Sequence, residues 1–175
     1  SERGDRSDGD PARDDGRDPS SETIVIGSEL SRCYRCFCRY TPMTTEHQIV
    51  VEGQTVSAIH HPAESDRWLL FCHGFLSDKS GSYESRCERA VEEGYNAVRF
   101  DFRGSGESDG EFIESTLSTR IEDLEAVVEH FSPPSYALFG SRFGAKTAFH
   151  AATDATRLEA VIARSTVTYN RAFEP

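Results

Sequence analysis

Residues 135–150 read Ser135-Tyr-Ala-Leu-Phe-Gly-Ser-Arg-Phe-Gly-Ala-Lys-Thr-Ala-Phe-His150. The short apolar run from Tyr136 to Phe139 is typical of a buried strand. It continues directly into a five-residue turn with a glycine at each end, and an alanine-rich segment follows. Only small residues fit beside a strained strand-to-helix turn, which explains the two glycines. The stretch therefore predicts a buried strand, a tight turn and a helix in direct succession.

The centre of this turn carries an unexpected residue. A nucleophile elbow has the pattern G-x-S-x-G, with the reactive serine in the middle. Here the middle residue is Arg142, and the only serine, Ser141, lies one position earlier. A guanidinium stays protonated in proteins and is neither a nucleophile nor a base. Ser141 is a weak candidate for the nucleophile, because neighbouring side chains in a tight turn point in different directions.

The rest of the chain predicts an α/β fold. Two short strands at 47–51 and 55–59 form a hairpin signal, and strands and helices then alternate along the chain. This alternation predicts a three-layer α/β/α sandwich with a mostly parallel sheet and an antiparallel hairpin at its start. The later elements are predicted as strands at 68–72, 96–101, 136–139 and 159–163 and helices at 83–93 (capped by Ser82), at 117–131 and after the turn.

Ligands of such sheets bind outside the carboxyl ends of the strands. His73, Arg103 and Arg142 all follow predicted strands and are expected at that edge. The glycine-rich loop at 102–110 has neither the G-x-G-x-x-G pattern nor a lysine, so it does not favour phosphate binding.

Three stretches together resemble the α/β-hydrolase superfamily. They are His73-Gly74-Phe75, the segment from Arg99 to Ser108, and the 140–144 turn, each following a predicted strand. The match covers about Gln48 to Tyr169 and is most similar to the serine aminopeptidase and feruloyl or cinnamoyl esterase branch.

The resemblance also implies site residues. A catalytic serine would stand at the position of Arg142, and the backbone N–H groups of Phe75 and Phe143 would hold the oxyanion. Backbone donors survive a change of side chain. The His73 side chain is expected to be structural or ligand-binding rather than a catalytic base.

The resemblance is partial, because the family order is serine, then an acid, then a histidine. After Arg142 the only histidine is His150, which the following helix carries away from the turn. Without a general base, a serine hydroxyl is too weak to attack an ester at a useful rate. The chain is therefore expected to be a truncated hydrolase domain with impaired catalysis, and its last strand, an apolar edge, is expected to favour self-association.

Two functional hypotheses stay open. The first is a serine hydrolase of carboxylic esters or small amides, in which Ser141 would be the candidate nucleophile. The second is a non-catalytic anion-binding module that uses Arg142 and the oxyanion amides. A third outcome is that Arg142 turns to solvent or pairs with an acid such as Asp109 and binds nothing.

The N-terminal region has a different composition. Residues 1–21 are almost entirely Asp, Arg, Gly, Ser and Pro, which cannot form a core, and the only methionine is Met43. We expect residues 1–42 to be a disordered or spurious extension and residues 43–175 to be an incomplete hydrolase domain. The cluster Cys33, Cys36 and Cys38 lacks a matching second pair of ligands, so no metal is expected.

The charge balance restricts the partners. The formal net charge is −11, from 30 acidic and 19 basic residues, and only Lys79 and Lys146 are lysines. This balance favours a halophilic source, or alternatively an arginine-rich proteome from a GC-rich genome. It disfavours binding to nucleic acid or to anionic membranes. The expected location is cytoplasmic, no cofactor is expected, and the expected partner is a small ester, amide or anion.

Overall fold

The computed structural model describes residues 43–153 and 155–167. The expectations for residues 1–42, including the cysteine cluster, lie outside this part, and the domain boundary stays a prediction. The elements in chain order are β1 (Thr45–Val51), β2 (Gln54–His61), β3 (Trp68–Cys72), α1 (Ser82–Glu92), β4 (Asn96–Phe100), a 3-10 turn (Phe112–Glu114), α2 (Leu117–Phe131), β5 (Tyr136–Ser141), α3 (Phe143–Ala151) and β6 (Leu158–Arg164).

The six strands form one sheet in the order β1-β2-β4-β3-β5-β6. β1 pairs with β2, and β2 with β4, in antiparallel fashion. The pairs β4–β3, β3–β5 and β5–β6 are all parallel. The predicted fold class is confirmed, and the elbow strand β5 lies between β3 and β6.

Helices cover both faces of the sheet, as expected for a three-layer sandwich. On one face Leu124 and Val127 of α2 and Ala148 of α3 pack into the larger core with Leu70 and Val98. On the other face α1 contributes a smaller cluster, which is Phe71, Tyr83, Cys87, Ala90 and Ala97. Cys72 and Cys87 are both buried free thiols whose pKa burial raises to about 12, as expected for small core residues.

The start of α1 differs from the prediction. Ser82 was expected to cap the helix, but α1 begins at Ser82 itself and Gly81 occupies the capping position without a side-chain hydrogen bond. The physical reason is the conformation of Gly81, whose positive φ of 62° turns the chain into the helix. In contrast, α2 has the predicted bounds and begins with a capping box between Thr116 and Thr119.

An ionic cluster around Asp101 fixes two loops at the carboxyl ends of the strands. The buried Asp101 carboxylate accepts hydrogen bonds from the backbone N–H of Lys79 at 2.5 Å and from its Nζ at 2.6 Å. It also accepts one from the Glu107 N–H at 2.9 Å. Asp101 thereby joins the loop after β3 to the glycine-rich loop after β4, and it fills the inside of that glycine-rich loop.

β6 is the outer strand of the sheet in the described part of the chain. Most of its side chains are exposed, including Ile162 with 49% of its surface accessible. An apolar outer strand is consistent with pairing, and self-association through β6 stays a prediction. Among the described helices, none combines the length and the apolar character needed to cross a bilayer.

Candidate functional site at the elbow

The turn after β5 has the backbone geometry of a nucleophile elbow. Arg142 adopts φ 53° and ψ −115°, a positive φ that non-glycine residues rarely take. Its N–H donates to the carbonyl of Arg164 in β6 at 2.9 Å, and its own carbonyl accepts from the Lys146 N–H at 3.3 Å. The neighbouring strand and the first turn of α3 therefore hold the strained residue from both sides.

The two glycines of the turn are required by close packing. A β-carbon on Gly140 would lie 2.4 Å from the Cα of Ala145, inside the following helix. A β-carbon on Gly144 would lie 2.2 Å from the carbonyl oxygen of Cys72 and 2.4 Å from that of His73. The first turn of α3 therefore rests directly on the end of β3, as the sequence pattern predicted.

This contact brings the His73-Gly74-Phe75 loop against the elbow. The rings of Phe75 and Phe143 stack with their centroids 4.1 Å apart and an interplanar angle of 27°. A β-carbon on Gly74 would lie 3.2 Å from the Cβ of Arg142. The two segments expected to supply oxyanion donors, at Phe75 and Phe143, are thus adjacent, while the role of their N–H groups stays a prediction.

His73 is a structural residue in this geometry. Its ring is buried, its Nδ1–H donates to the Gly74 carbonyl at 2.8 Å, and its Nε2 accepts from the Phe102 N–H at 3.1 Å. Burial, followed by the charge of Arg120, lowers the pKa of His73 to about 4. Both ring nitrogens are used inside the protein, so this geometry gives no support to the predicted ligand-binding role of the side chain.

A buried arginine lies behind the loop. Arg120 of α2 has no accessible surface, and it donates to the Ser115 hydroxyl at 3.0 Å and to the His73 carbonyl at 3.1 Å. Its guanidinium lies over the rings of Phe75, Phe102 and Phe143, at 4.9, 4.3 and 5.4 Å from their centroids. Burial lowers the pKa of Arg120 to about 10. Arg120 therefore packs against both rings of the Phe75–Phe143 pair and stabilises their position.

Arg103 does not reach the elbow, although it follows a strand as predicted. Its Nε lies 2.5 Å from the buried Asp123 carboxylate, and its terminal nitrogens pair with Glu52 at 3.0 Å and Glu122 at 2.9 Å. These ion pairs raise the pKa of the guanidinium against the effect of burial. Arg103 is therefore committed to holding its loop against α2.

The elbow borders a cavity of about 310 Å³ with an unusual charge. Three arginines, Arg86 of α1, Arg142 of the turn and Arg164 of β6, contribute to its walls together with the hydroxyls of Tyr83 and several serines. No carboxylate is among the described residues that line it. In a chain with 30 acidic residues, this local excess of positive charge marks the cavity as different from the rest of the surface.

Of the two alternatives for an Arg142 that binds nothing, the side chain is exposed to solvent and does not pair with Asp109. The Asp109 carboxylate instead accepts from the Thr55 backbone N–H at 2.9 Å, which ties it to β2. Arg86 is half-buried, with its guanidinium 4.9 Å from the centroid of the Phe139 ring. The arginines thus reach the cavity from three separate elements.

Ser141 has no general base beside it among the described residues that line the cavity. Tyr83 lines the same cavity, and burial raises the pKa of its phenol above its usual value. A neutral phenol is not a general base at neutral pH. Two other histidines also lie elsewhere: His150 is exposed near the end of α3, and His130 contacts His47 of β1 at 3.0 Å.

Of the residues that line the cavity, Phe75, Ser141 and Arg142 were predicted site residues, whereas Tyr83, Arg86 and Arg164 were not predicted. The role of the Phe143 N–H stays a prediction. Arg164 had a signal, because it ends a parallel strand at the edge where ligands bind. Arg86 and Tyr83 had none, since they belong to a helix far from the turn in sequence. Arg120 was missed because only apolar residues had been used to assign the inner face of α2.

Comparisons with known proteins agree with this fold. The family described as serine aminopeptidase, S33, matches residues 63–172. Palmitoyl-protein thioesterase ABHD10, mitochondrial, of Homo sapiens is 32% identical over 96 residues, which are 54% of this chain and 31% of that protein. An uncharacterized 31.7 kDa protein from the traX-finO intergenic region of Escherichia coli is 27% identical over 112 residues, covering 61% and 37% of the two chains.

The structural likeness covers more of the chain. The Pyrococcus furiosus esterase PF2001 aligns with a TM-score of 0.65 and 24% identity over 72% of this chain and 50% of that one, a likeness that carries the fold alone. The chain spans about a third of the length of the curated relatives named above. Because one family matches more than half of its residues, the chain belongs to the serine aminopeptidase S33 family of α/β hydrolases.

Proposed function

We propose that the elbow of this chain binds a small anion, a carboxylate or a phosphate, and does not form an acyl-enzyme. The observation that carries this proposal is Arg142, held in the strained elbow conformation at the edge of a cavity that Arg86 and Arg164 also line. The family's esterase chemistry needs a nucleophile at this position, and a guanidinium cannot supply one.

Three features of the elbow suit an anion. A guanidinium can donate two parallel hydrogen bonds to a carboxylate or phosphate. The cavity lies at the start of α3, where the helix dipole favours negative charge. The geometry that stabilises an oxyanion in the family's hydrolases also suits a stable anion, so the change to Arg142 converts transient charge stabilisation into ligand binding.

Anion binding should depend on Arg142. We expect Arg142→Ser to weaken the binding of inorganic phosphate or acetate by roughly 10- to 100-fold, since a hydrogen bond to a charged group contributes about 1.5–3 kcal/mol. Isothermal titration calorimetry at low ionic strength measures this change.

The matched control is Arg89→Ser on α1, which removes the same charge from a residue that pairs only at the surface with Glu92 and Glu93. The Arg89→Ser variant should bind phosphate and acetate with an affinity close to that of the parent chain. Equal affinities in the parent and in the Arg142→Ser variant would contradict the proposal.

The catalytic alternative has its own test. We expect a fluorophosphonate probe to leave Ser141 unlabelled, because no histidine is among the described residues that line its cavity. Intact-protein mass spectrometry detects the adduct, and Ser141→Ala serves as the matched control. Labelling of the parent chain that disappears in the control would restore the esterase hypothesis, which the relatives named as a thioesterase and an esterase support by analogy.

A further inference from the structure

Exposed apolar side chains stand beside the arginine cavity. Leu76 has 89% of its surface accessible, and Phe112 of the 3-10 turn has 45%. Single exposed apolar residues are ordinary, but a group of them next to a charged cavity is typical of a ligand-binding surface. Their position relative to the cavity therefore decides what they can do.

Leu76 connects two cavities. It lines the arginine cavity together with Phe75, and it also lines a second cavity of about 190 Å³ to which Phe112 contributes. The rings of Phe75 and Phe112 are in edge contact, with their centroids 5.7 Å apart. Phe75, Leu76 and Phe112 thus form a small apolar surface that leads away from the arginines, while the other residues that line the second cavity are serines, glycines and Asp78.

The backbone of Leu76 is also unusual. Its φ of 52° lies in the left-handed region, where a leucine is strained, and yet its side chain is left in water. The strain and the exposure of this residue both oppose folding. A ligand that covers Leu76 removes the cost of exposure.

The charges on the path fix the direction of such a ligand. The arginine cavity carries the positive side chains, whereas the second cavity includes Asp78. The Asp78 carboxylate accepts a hydrogen bond from the Ser80 N–H at 2.8 Å, and the hydrogen bonds from Ser80 lower the pKa of Asp78, so it is ionised at neutral pH. An anionic group is therefore attracted to the arginines and repelled from the far end.

We infer that the ligand of this site is a medium-chain alkyl carboxylate, with its carboxylate at Arg142 and its alkyl chain across Leu76 towards Phe112. This inference rests on the proposed anion binding and adds the apolar chain to it. It makes the site a receptor for an amphipathic acid rather than for a bare inorganic anion.

The test is a homologous series of acetate, butyrate, hexanoate and octanoate titrated into the full chain by calorimetry. Full burial of a methylene group strengthens binding by about fourfold, and burial on an open surface gives roughly half of that free energy, or about twofold. We therefore expect octanoate to bind about 50-fold more tightly than acetate, and Arg142→Ser to weaken every member of the series.

Two variants distinguish the contribution of the ligand's alkyl chain to the affinity from that of its carboxylate. Leu76→Asn keeps a residue that tolerates positive φ and removes the apolar surface, so it should flatten the dependence on chain length, measured as the ratio of the octanoate affinity to the acetate affinity. Ile113→Ser is the matched control, because Ile113 is 90% exposed and is not among the described residues that line either cavity. It should keep the dependence on chain length.

The outcomes are distinguishable. If acetate and octanoate bind equally well, and both depend on Arg142, the alkyl-chain inference is wrong while the anion site stands. If no member of the series and no phosphate binds, both proposals fail. If octanoate binds tightly but equally well to Arg142→Ser, its binding is nonspecific and the inference is overturned.

Discussion

Replacing Gly144 by alanine should destabilise the domain by about 3 kcal/mol or more, although alanine is the better helix former. Helix propensity alone favours the alanine by about 1 kcal/mol. The new methyl group, however, would lie 2.2 Å from the Cys72 carbonyl oxygen, which is backbone and cannot swing away. Forcing atoms into a packed interior typically costs about 1–3 kcal/mol, and a backbone clash this close belongs at the upper end or beyond.

The measurement is the free energy of unfolding from urea denaturation followed by circular dichroism. His150→Ala is the matched control, since His150 lies exposed on the same helix and its replacement should change stability by less than about 0.5 kcal/mol. A Gly144→Ala variant as stable as the parent chain would mean that α3 does not rest on the end of β3.

Acid should destabilise the fold well before its surface carboxylates are protonated. His61 and His73 are buried, and burial together with Arg99 beside His61 and Arg120 beside His73 lowers the pKa of each to about 4. The unfolded chain takes up a proton on each near its ordinary pKa of about 6.5, while the folded chain does not. The stability that each contributes is therefore present above about pH 6.5 and lost as the pH falls towards 4, by about 3 kcal/mol per histidine.

Urea denaturation at a series of pH values between 4 and 8 measures this effect. His61→Gln keeps an acceptor for the Arg99 Nε–H, which lies 3.0 Å from the His61 Nε2, and removes the titration. Its stability should fall less steeply below pH 6.5, by the equivalent of one proton, whereas the exposed His150→Gln control should keep the slope of the parent chain. Parallel slopes in parent and His61→Gln would show that folding does not lower the pKa of His61.

Much of the fold followed from local patterns. The elbow glycines and the apolar run of β5 predicted a strand, a turn and a helix because the motif lies within a few consecutive residues, although the contact that requires Gly144 is with Cys72 and His73. The alternation of strands and helices predicted the parallel sheet, because a helix that connects two strands returns the chain to the same end of the sheet. Helix α2 had its predicted bounds; Thr116 caps its start, and Pro133 and Pro134 follow its end.

The inner face of α2 was harder to predict. The apolar pattern predicted one face of this helix from Leu117, Ile121, Leu124, Val128 and Phe131. Leu124 and Val128 are buried, but the buried positions also include Arg120 and Asp123. Their partners, the His73 carbonyl and Arg103, lie 47 and 20 residues away in sequence. A charged residue is buried in the core only where the tertiary structure places a partner beside it, and a local sequence pattern does not predict that contact.

The elbow cavity could be predicted only in part for the same reason. Arg142 was evident because a fixed pattern marks its position, whereas Arg86 and Arg164 join it through the packing of α1 and the pairing of β6 with β5. The sign of the cavity's charge therefore depends on the tertiary structure, although each arginine is visible in the sequence.

The contacts that bend the chain at position 142 are all made by its neighbours. Glycines on either side, a carbonyl in β6 and the first turn of α3 hold this backbone, and none of them involves the Arg142 side chain. The elbow backbone can therefore keep its conformation when the side chain at position 142 is replaced. A single amino-acid change can thus replace a reactive group by a binding group during evolution. In this architecture the fold can be conserved while the chemistry of the site changes.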